Sequence, residues 1–501
     1  MRGTLITRKS VIIIGGGIAG LSAGCYARMN GYDTHIFEMH NIPGGLCTSW
    51  KRKGYVFDGC LHWLVGTTGG PKFYDMWREL GAIQNRRIIY DEDFMQIVGK
   101  GGKRFIVYNN IDRLEKHMKE LSPADSKTIN ELIAALKKFK RMEIPTLKPG
   151  ELYTKMDILK MIISMWPVMG AMNKYSKMTH MQFSEKFTDP FLREAFNDIF
   201  DFPGFPFTAF LITQAWFDNG WQGFPEGGSL EFSKAIEKRY KDLGGKVSYR
   251  SKVRNIIVEN GAAVGVRMED GTEHRADVVI SACDGHETLY DMLEGKYLTE
   301  KLKTFYDSYP LFPSGMQVSL GIARDFSDEP HSQVFKLDGT VNITGVPVDK
   351  LLFKHYCKDP TIAPKGKSVV ASFITADHAY WKKLGGDRAK YEAEKENVAE
   401  LVISELEKHY PGVRQQIEAI DVASPTTYER YTGNWQGSYM GWMNSGQRKI
   451  LGSRLPGLKN FYMCGMWTMV GGGVPTAAMT ARGAVEIMCK EDGKKFLTTH
   501  G

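Results

Sequence analysis

The stretch SVIIIGGGIAGLSAGCYARMNGYDTHIFE, residues 10 to 38, limits what this chain can fold into more than any other. Its short β-branched run suits a buried parallel strand. Small and apolar residues then recur at helical spacing as far as Gly31, and a second strand-like run, DTHIF, ends at an acid. Between strand and helix stand Gly15, Gly17 and Gly20, spaced as GxGxxG, with Gly16 and Ala19 among them. The first glycine permits the tight turn, the second lets backbone approach a pyrophosphate, and the third lets the helix pack closely on the sheet. The helix N-terminus then offers unsatisfied N–H groups and the positive end of its dipole to phosphate. Glu38, 18 residues past Gly20, sits where a carboxylate accepts bonds from ribose hydroxyls and repels a 2′-phosphate. The unit predicts a dinucleotide-binding βαβ fold and argues against NADP.

A second glycine pair follows almost at once. Met39 succeeds Glu38, and Gly44 and Gly45 open the loop that continues LCTSWKRKGYVFDGCLHW. A nicotinamide-binding fold has no obvious use for this loop. One extended cofactor gripped at several points does, which points to FAD.

Further along, the sequence returns to the same logic twice. Residues 223–284 read as a helix from Ser229 to about Leu243, then a strand meander with turns at Asn260-Gly261 and Asp270-Gly271, then the return strand DVVISA. Near the C-terminus NFYMCG reads as a strand and PTAAMTARGAVEIMCK as an amphipathic helix. The fold class expected is α/β: a discontinuous Rossmann-like FAD-binding domain, residues 1–75, 223–304 and 451–501, interrupted by an α+β substrate domain, residues 76–222 and 305–450. Residues 76–222 read as largely helical. The second insert mixes strands (MQVSLGIA, SVVASFITA) with a long helix stopped by Pro411 and Gly412.

Composition removes several function classes. With 501 residues, 43% hydrophobic and 24% charged, the chain can bury a large core in two or three domains. No window approaches the roughly 18 apolar residues of a spanning helix, and the polar start MRGTLITRKS does not read as a secretory signal. Seven scattered cysteines without a CxxC pair suit reduced thiols in a cytoplasmic protein better than disulfides, and no metal site is expected. A net charge of +8, without a basic stripe, disfavours nucleic acid.

IIIGGGIAGLSAG, FEMHNIPGGLCTSW, GYVFDGCLHWLVG, FPEGGSLEFSKAI and MWTMVGGGVPTAAMTARGA, in that order, resemble the phytoene desaturase, carotenoid isomerase and all-trans-retinol saturase group of FAD flavoproteins. The resemblance covers the nucleotide domain closely and the inserted domain loosely, and FDGCLHWLVG looks nearest to the saturase branch. It implies that Gly15, Gly17, Gly20 and Glu38 hold the ADP half, and that Gly44, Gly45 and Leu46 line the ribityl and flavin approach. It also implies that Val253 meets the adenine with its backbone, and that Gly465 through Pro475, including Met466 and Val474, close over the flavin. The helix from Thr476 would then aim at the pyrimidine oxygens. One departure stands out: many relatives carry Gly-Asp where this chain has Gly465-Met466, which leaves the ribityl contact of that aspartate without a side chain.

The activity this implies is desaturation, saturation or isomerisation of C=C bonds in a hydrophobic isoprenoid or polyene of carotenoid or retinoid kind, with a separate electron donor or acceptor. Two alternatives stay open: an amine-oxidase-like flavoenzyme acting on an amine or porphyrinogen, and a non-catalytic lipid-binding flavoprotein. The flavin would transfer the electrons while the protein supplies position and dryness. Twelve per cent aromatic residues and 24 methionines suit a long apolar ligand. His62 is the candidate proton donor near the flavin. RYTGNWQGSYMGW, residues 430 to 442, is the candidate pocket wall, with Tyr431, Tyr439 and Trp442 facing substrate. Lys137 to Lys177 holds nine basic and three acidic residues around MIISMWPVMGAMN, a pattern suited to peripheral membrane contact, with Pro167 expected to kink its helix.

Overall fold

The computed structural model describes residues 8–70, 72–142, 146–200, 204–443 and 451–498. Two sheets organise them. The first has five strands in the order Lys246–Ser248, Asp33–Phe37, Ser10–Ile14, Val278–Ser281 and Phe461–Met463, all parallel. The run VIII is continuous rather than alternating because both faces of its strand are covered. Val11 and Ile13 join the core beneath the helices Ile18–Met29, Gly228–Asp242 and Val474–Glu491, whereas Ile12 and Ile14 turn to the core shared with Val253 and Val266 of the meander. That meander is Val253–Glu259, Ala262–Met268 and Glu273–Arg275, antiparallel as expected.

The second sheet has seven strands in the order Ile417–Ala423, Gly315–Ile322, Ser368–Thr375, Val346–His355, Ser332–Ile343, Asp93–Val98 and Arg104–Tyr108. It is antiparallel except where Val334 pairs in parallel with Ile97. That pairing joins the two stretches that interrupt the nucleotide-binding sequence. The outer face of this sheet packs on the helix Arg388–His409 through Leu351, Phe353, Val398 and Val402. Pro411 and Gly412 follow that helix, as the sequence predicts.

Reading residues 76–222 as largely helical is corrected in one place. The hairpin Asp93–Val98 with Arg104–Tyr108 belongs to the sheet, and the burial of Arg104–Tyr108 alternates with the period of a strand. Apart from the short strand Ile88–Ile89, the other elements are helical, packed around an aromatic core in which Phe183 stacks on Phe207 at 4.2 Å between centroids. The helix Lys155–Tyr175 runs through Pro167.

Candidate active site

A cleft with about 1090 Å³ of empty space lies at the carboxyl ends of the parallel strands, where ligands of open α/β sheets bind. Ile14 and Gly15, Phe37 and Glu38, Ala282 and Cys283, and Gly465 bring four strand ends to its wall. The two glycine clusters of the sequence meet here. Gly44 N–H donates to the Gly16 carbonyl at 2.9 Å, and Gly17 bridges to Gly44. Gly44 has φ of +114°, and a Cβ there would lie 2.3 Å from the Cys47 carbonyl oxygen. At Gly20 a Cβ would lie 1.9 Å from the Gly15 carbonyl oxygen, so the helix can cross the turn only as glycine.

Helix N-termini face the cleft from two sides. Ile18–Met29 begins at Gly17 and Val474–Glu491 at Gly473, and neither has a side-chain cap. Their first N–H groups therefore remain for a ligand. The second helix starts two residues before the expected Thr476, with Pro475 in its first turn, where a missing N–H costs nothing. Glu38 is buried and fixed: Gly16 N–H donates to Oε2 at 2.5 Å and His40 N–H to Oε1 at 2.7 Å. Each carboxylate oxygen keeps a lone pair for a further donor.

Of the predicted cofactor residues, Gly15, Gly17, Ala19, Glu38, Met39, Gly44, Gly45, Leu46, Val253, Gly465, Met466 and Val474 line this cleft. Gly16, Gly20 and Pro475 do not. Gly16 holds the acid, Gly20 makes room for the turn, and Pro475 starts the helix. The sequence reading missed Cys47, Cys60, Ser251, Cys283 and Trp467 on the wall. Cys47 and Cys60 lie inside the quoted second-glycine loop, so their position was available. Cys60 and Cys283 stay protonated: the neighbouring Cys47 thiol and burial push Cys60 well above the thiol range, and burial pushes Cys283 up to about 12.

The aromatic candidates separate. Tyr439 lines the cleft and its hydroxyl donates to the Gly59 and Cys60 carbonyls at 3.1 and 3.2 Å. Tyr431 also lines it, edge-on to His40 at 5.2 Å and 47% exposed. Trp442 faces no cleft. It is fully buried among Phe305, Tyr306 and Trp467, and its Nε1–H donates to the Trp467 carbonyl at 3.1 Å. Asp284 ties this segment to a strand end by accepting Trp435 N–H at 2.9 Å and Glu287 N–H at 2.8 Å, and burial raises its carboxyl to about 7.

His62 is also corrected. It does not line the cleft but packs edge-on against Phe373 at 4.7 Å. Burial, with Lys354 and His331 adding positive charge, holds its ring well below the ordinary imidazole value, so near pH 7 it carries no second proton to give. It lies on the inner face of the seven-stranded sheet, next to Trp63, Phe94 and Phe217, whose rings contact one another at 5.2 to 6.1 Å. Cys60, two residues earlier, is on the cleft wall, so one short segment runs from the cleft to this aromatic interior.

The arrangement fits an FAD: a glycine cradle that added Cβ atoms would fill, uncapped helix N-termini, and an oriented carboxylate. Residues 18–489 match the family model described as flavin containing amine oxidoreductase. A chloroplastic prolycopene isomerase from Daucus carota is 25% identical over 442 residues, spanning 85% of this chain and 71% of that protein. A lycopene-forming phytoene desaturase from a Paracoccus species is 23% identical over 524 residues, spanning 96% of this chain and 98% of that protein. Among solved structures, an oxidoreductase from Methanosarcina mazei covers 96% of this chain and 99% of its own at 20% identity, with a TM-score of 0.58. Putrescine oxidase bound to putrescine covers the same shares at 13% identity, also with a TM-score of 0.58. Both share the fold.

Proposed function

Starting from a chain that belongs to the flavin containing amine oxidoreductase family and is an FAD-dependent oxidoreductase, we propose that it desaturates, saturates or isomerises C=C bonds in a long hydrophobic polyene. The observation that carries this reading is similarity along nearly the whole chain to a phytoene desaturase. The aromatic interior beyond Cys60 supports it, because rings such as Trp63, Phe94 and Phe217 hold an apolar chain by contact area without demanding hydrogen bonds.

In this reading the first N–H groups of the helix Ile18–Met29 bind the pyrophosphate, Glu38 accepts the ribose hydroxyls, and Val253 covers the adenine. Gly44, Gly45 and Leu46 pass the ribityl chain, while Gly465, Met466, Gly473 and Val474 close the flavin end. Met466 supplies no side-chain oxygen, which leaves the ribityl group to backbone. When bound, FAD supplies the two-electron chemistry, exchanged with a separate donor or acceptor. Tyr439, fixed on Gly59 and Cys60, holds the wall between cofactor and interior. With Cys60 and Cys283 protonated and His62 neutral, the described walls supply positioning and exclusion of water rather than a strong acid or base.

Substrate of this kind reaches an enzyme from a membrane, and the helix Lys155–Tyr175 suits that contact. Among the described residues no helix is long and apolar enough to span a bilayer. This one nevertheless exposes Ile158, Leu159, Ile162, Ile163 and Trp166, the last two at 63% and 72%. Lys155, Lys160 and Lys174 on the same helix and Lys177 just beyond it add positive charge. An exposed apolar stripe edged with lysine fits an anionic lipid surface.

The test is anaerobic incubation of the holoenzyme with a polyene panel, flavin oxidised or reduced, followed by mass spectrometry. Loss of two hydrogens identifies a desaturase, gain a saturase, and a new retention time at constant mass an isomerase. Unchanged polyenes alongside oxidation of an amine or porphyrinogen would overturn the proposal.

A further inference from the structure

The inner face of the seven-stranded sheet buries a positive charge without a partner. On the strand Val346–His355, Leu351, Phe353 and His355 point toward the helix Arg388–His409, and Leu352 and Lys354 point inward. Lys354 is 5% exposed. Among the described residues its ammonium has no hydrogen bond or ion pair; it lies 5.8 Å from the Trp63 ring centroid. Lysine is almost never buried so deeply unless it is paired. The one carboxylate that acts on it, Asp91, is held by Lys358 at 2.6 Å.

Two imidazoles share the spot. His331 immediately precedes Ser332, which pairs with Lys354 across the sheet, and its Nδ1 lies 3.2 Å from the His355 carbonyl oxygen. Its Nε2 is buried and unpartnered, as are His62 Nδ1 and the Tyr356 hydroxyl. Phe373, against which His62 packs, pairs with Leu352 one step along the same face. His62 and His331 are both half-buried, and Lys354 acts on each of them as a nearby positive charge.

We infer that Lys354, with His62 beside it, forms a receptor for a carboxylate at the end of the apolar substrate, so that the substrate is a polyene acid rather than a pure hydrocarbon. This rests on the polyene reading above. A carboxylate is acceptor-only and singly negative, so it pairs the ammonium and accepts from His62 Nδ1 in the tautomer that carries its proton there, whereas neutral His331 spends its one N–H on the His355 carbonyl. A hydrocarbon end would leave the ammonium and His62 Nδ1 orphaned, at a cost in affinity. Trp63, which meets Lys354 on one side and Phe94 and Phe217 on the other, places the receptor where the chain would end.

Burial holds Lys354 down to about 7, and a bound carboxylate raises it again. Binding above pH 7 therefore takes up a proton and weakens as pH rises. The test is binding to purified holoenzyme, read from perturbation of the flavin absorption, with four probes: all-trans-retinoic acid, all-trans-retinol, the corresponding C20 hydrocarbon, and palmitic acid. Retinoic acid is expected to bind roughly ten- to a hundredfold more tightly than the alcohol or hydrocarbon at pH 6.5, with the preference shrinking at pH 8.5. Lys354→Met should abolish the preference with flavin content retained, and Lys354→Arg should keep it. Acid and alcohol binding within twofold, or a preference that survives in Lys354→Met, would overturn the receptor and leave the polyene reading standing. Palmitate binding with no polyene bound would sustain the receptor and sink the polyene reading. No binding by any probe would overturn both.

Discussion

The cofactor cleft and the inner face of the substrate sheet treat buried polar groups in opposite ways. In the cleft the carboxylate of Glu38 is held by two backbone N–H groups, and the polar surface left for a ligand is mostly main chain at glycine turns and helix ends. On the sheet the surface left is side chain: among the described residues the Lys354 ammonium, His62 Nδ1 and His331 Nε2 have no partner. Backbone recognition forces glycine at fixed spacings, because a Cβ would occupy the place of the ligand or of a crossing strand. Side-chain recognition on a strand forces nothing on its neighbours.

That contrast is broken most directly at the cleft. Gly20→Val drives a branched side chain into the Gly15 carbonyl, which belongs to backbone and cannot step aside. The expected outcome is loss of bound flavin, measured as the ratio of 450 to 280 nm absorbance in purified protein, with most of the protein insoluble. A variant that folds and keeps a full complement of flavin would show that the turn is not the cofactor's grip.

The aromatic segment 431–442 gives the next largest effect, and it reverses the sequence expectation. Trp442→Ala removes a fully buried ring and should cost about 3–5 kcal/mol of stability, read from thermal or denaturant unfolding. Tyr431→Ala, at a 47% exposed position, should stay within about 0.5 kcal/mol. Equal losses at the two positions would contradict their placement.

The same residues explain what could be read in advance. The βαβ unit, the meander and the C-terminal strand and helix follow from glycine spacing and periodicity. So does most of the cleft, since its residues sit at the ends of those elements. The segment RYTGNWQGSYMGW has no period, and whether Tyr431 or Trp442 turns inward depends on Asp284 reaching it from 151 positions away. The hairpin at 93–108 hides in a helix-rich stretch because its partner strand, Ser332–Ile343, comes much later in the chain. Lys354 carries no local sign at all: KLLFKH sets three apolar residues between basic ones, which does not tell which lysine turns inward, and only the elements folded over it make that lysine interior.

The exposed helix tests whether apolar surface outside both regions has a use. Ile163→Glu with Trp166→Glu should lower partition onto phosphatidylglycerol vesicles by about tenfold or more in a flotation assay. The thermal midpoint should hardly move, because both side chains are already largely in water. Wild-type protein that ignores these vesicles, or that self-associates through this helix instead, would remove the membrane from the account.

The smallest effect bears most closely on the contrast itself. Lys354→Met replaces a buried unpaired charge with an apolar side chain of similar volume, a change that removes the desolvation cost of that charge and so stabilises the fold. The folded-state value of about 7 lies below the ordinary lysine value of 10.5. Between those values the unfolded chain binds more protons than the folded one, so wild-type stability rises with pH across that window. Below pH 7 both states are protonated and the full cost of the buried charge is present. The advantage of the methionine variant, measured without added ligand, should therefore be greatest below pH 7 and close as pH approaches 10. A gap that does not change with pH would mean that Lys354 is already paired, and the interior of the sheet would then resemble the cleft.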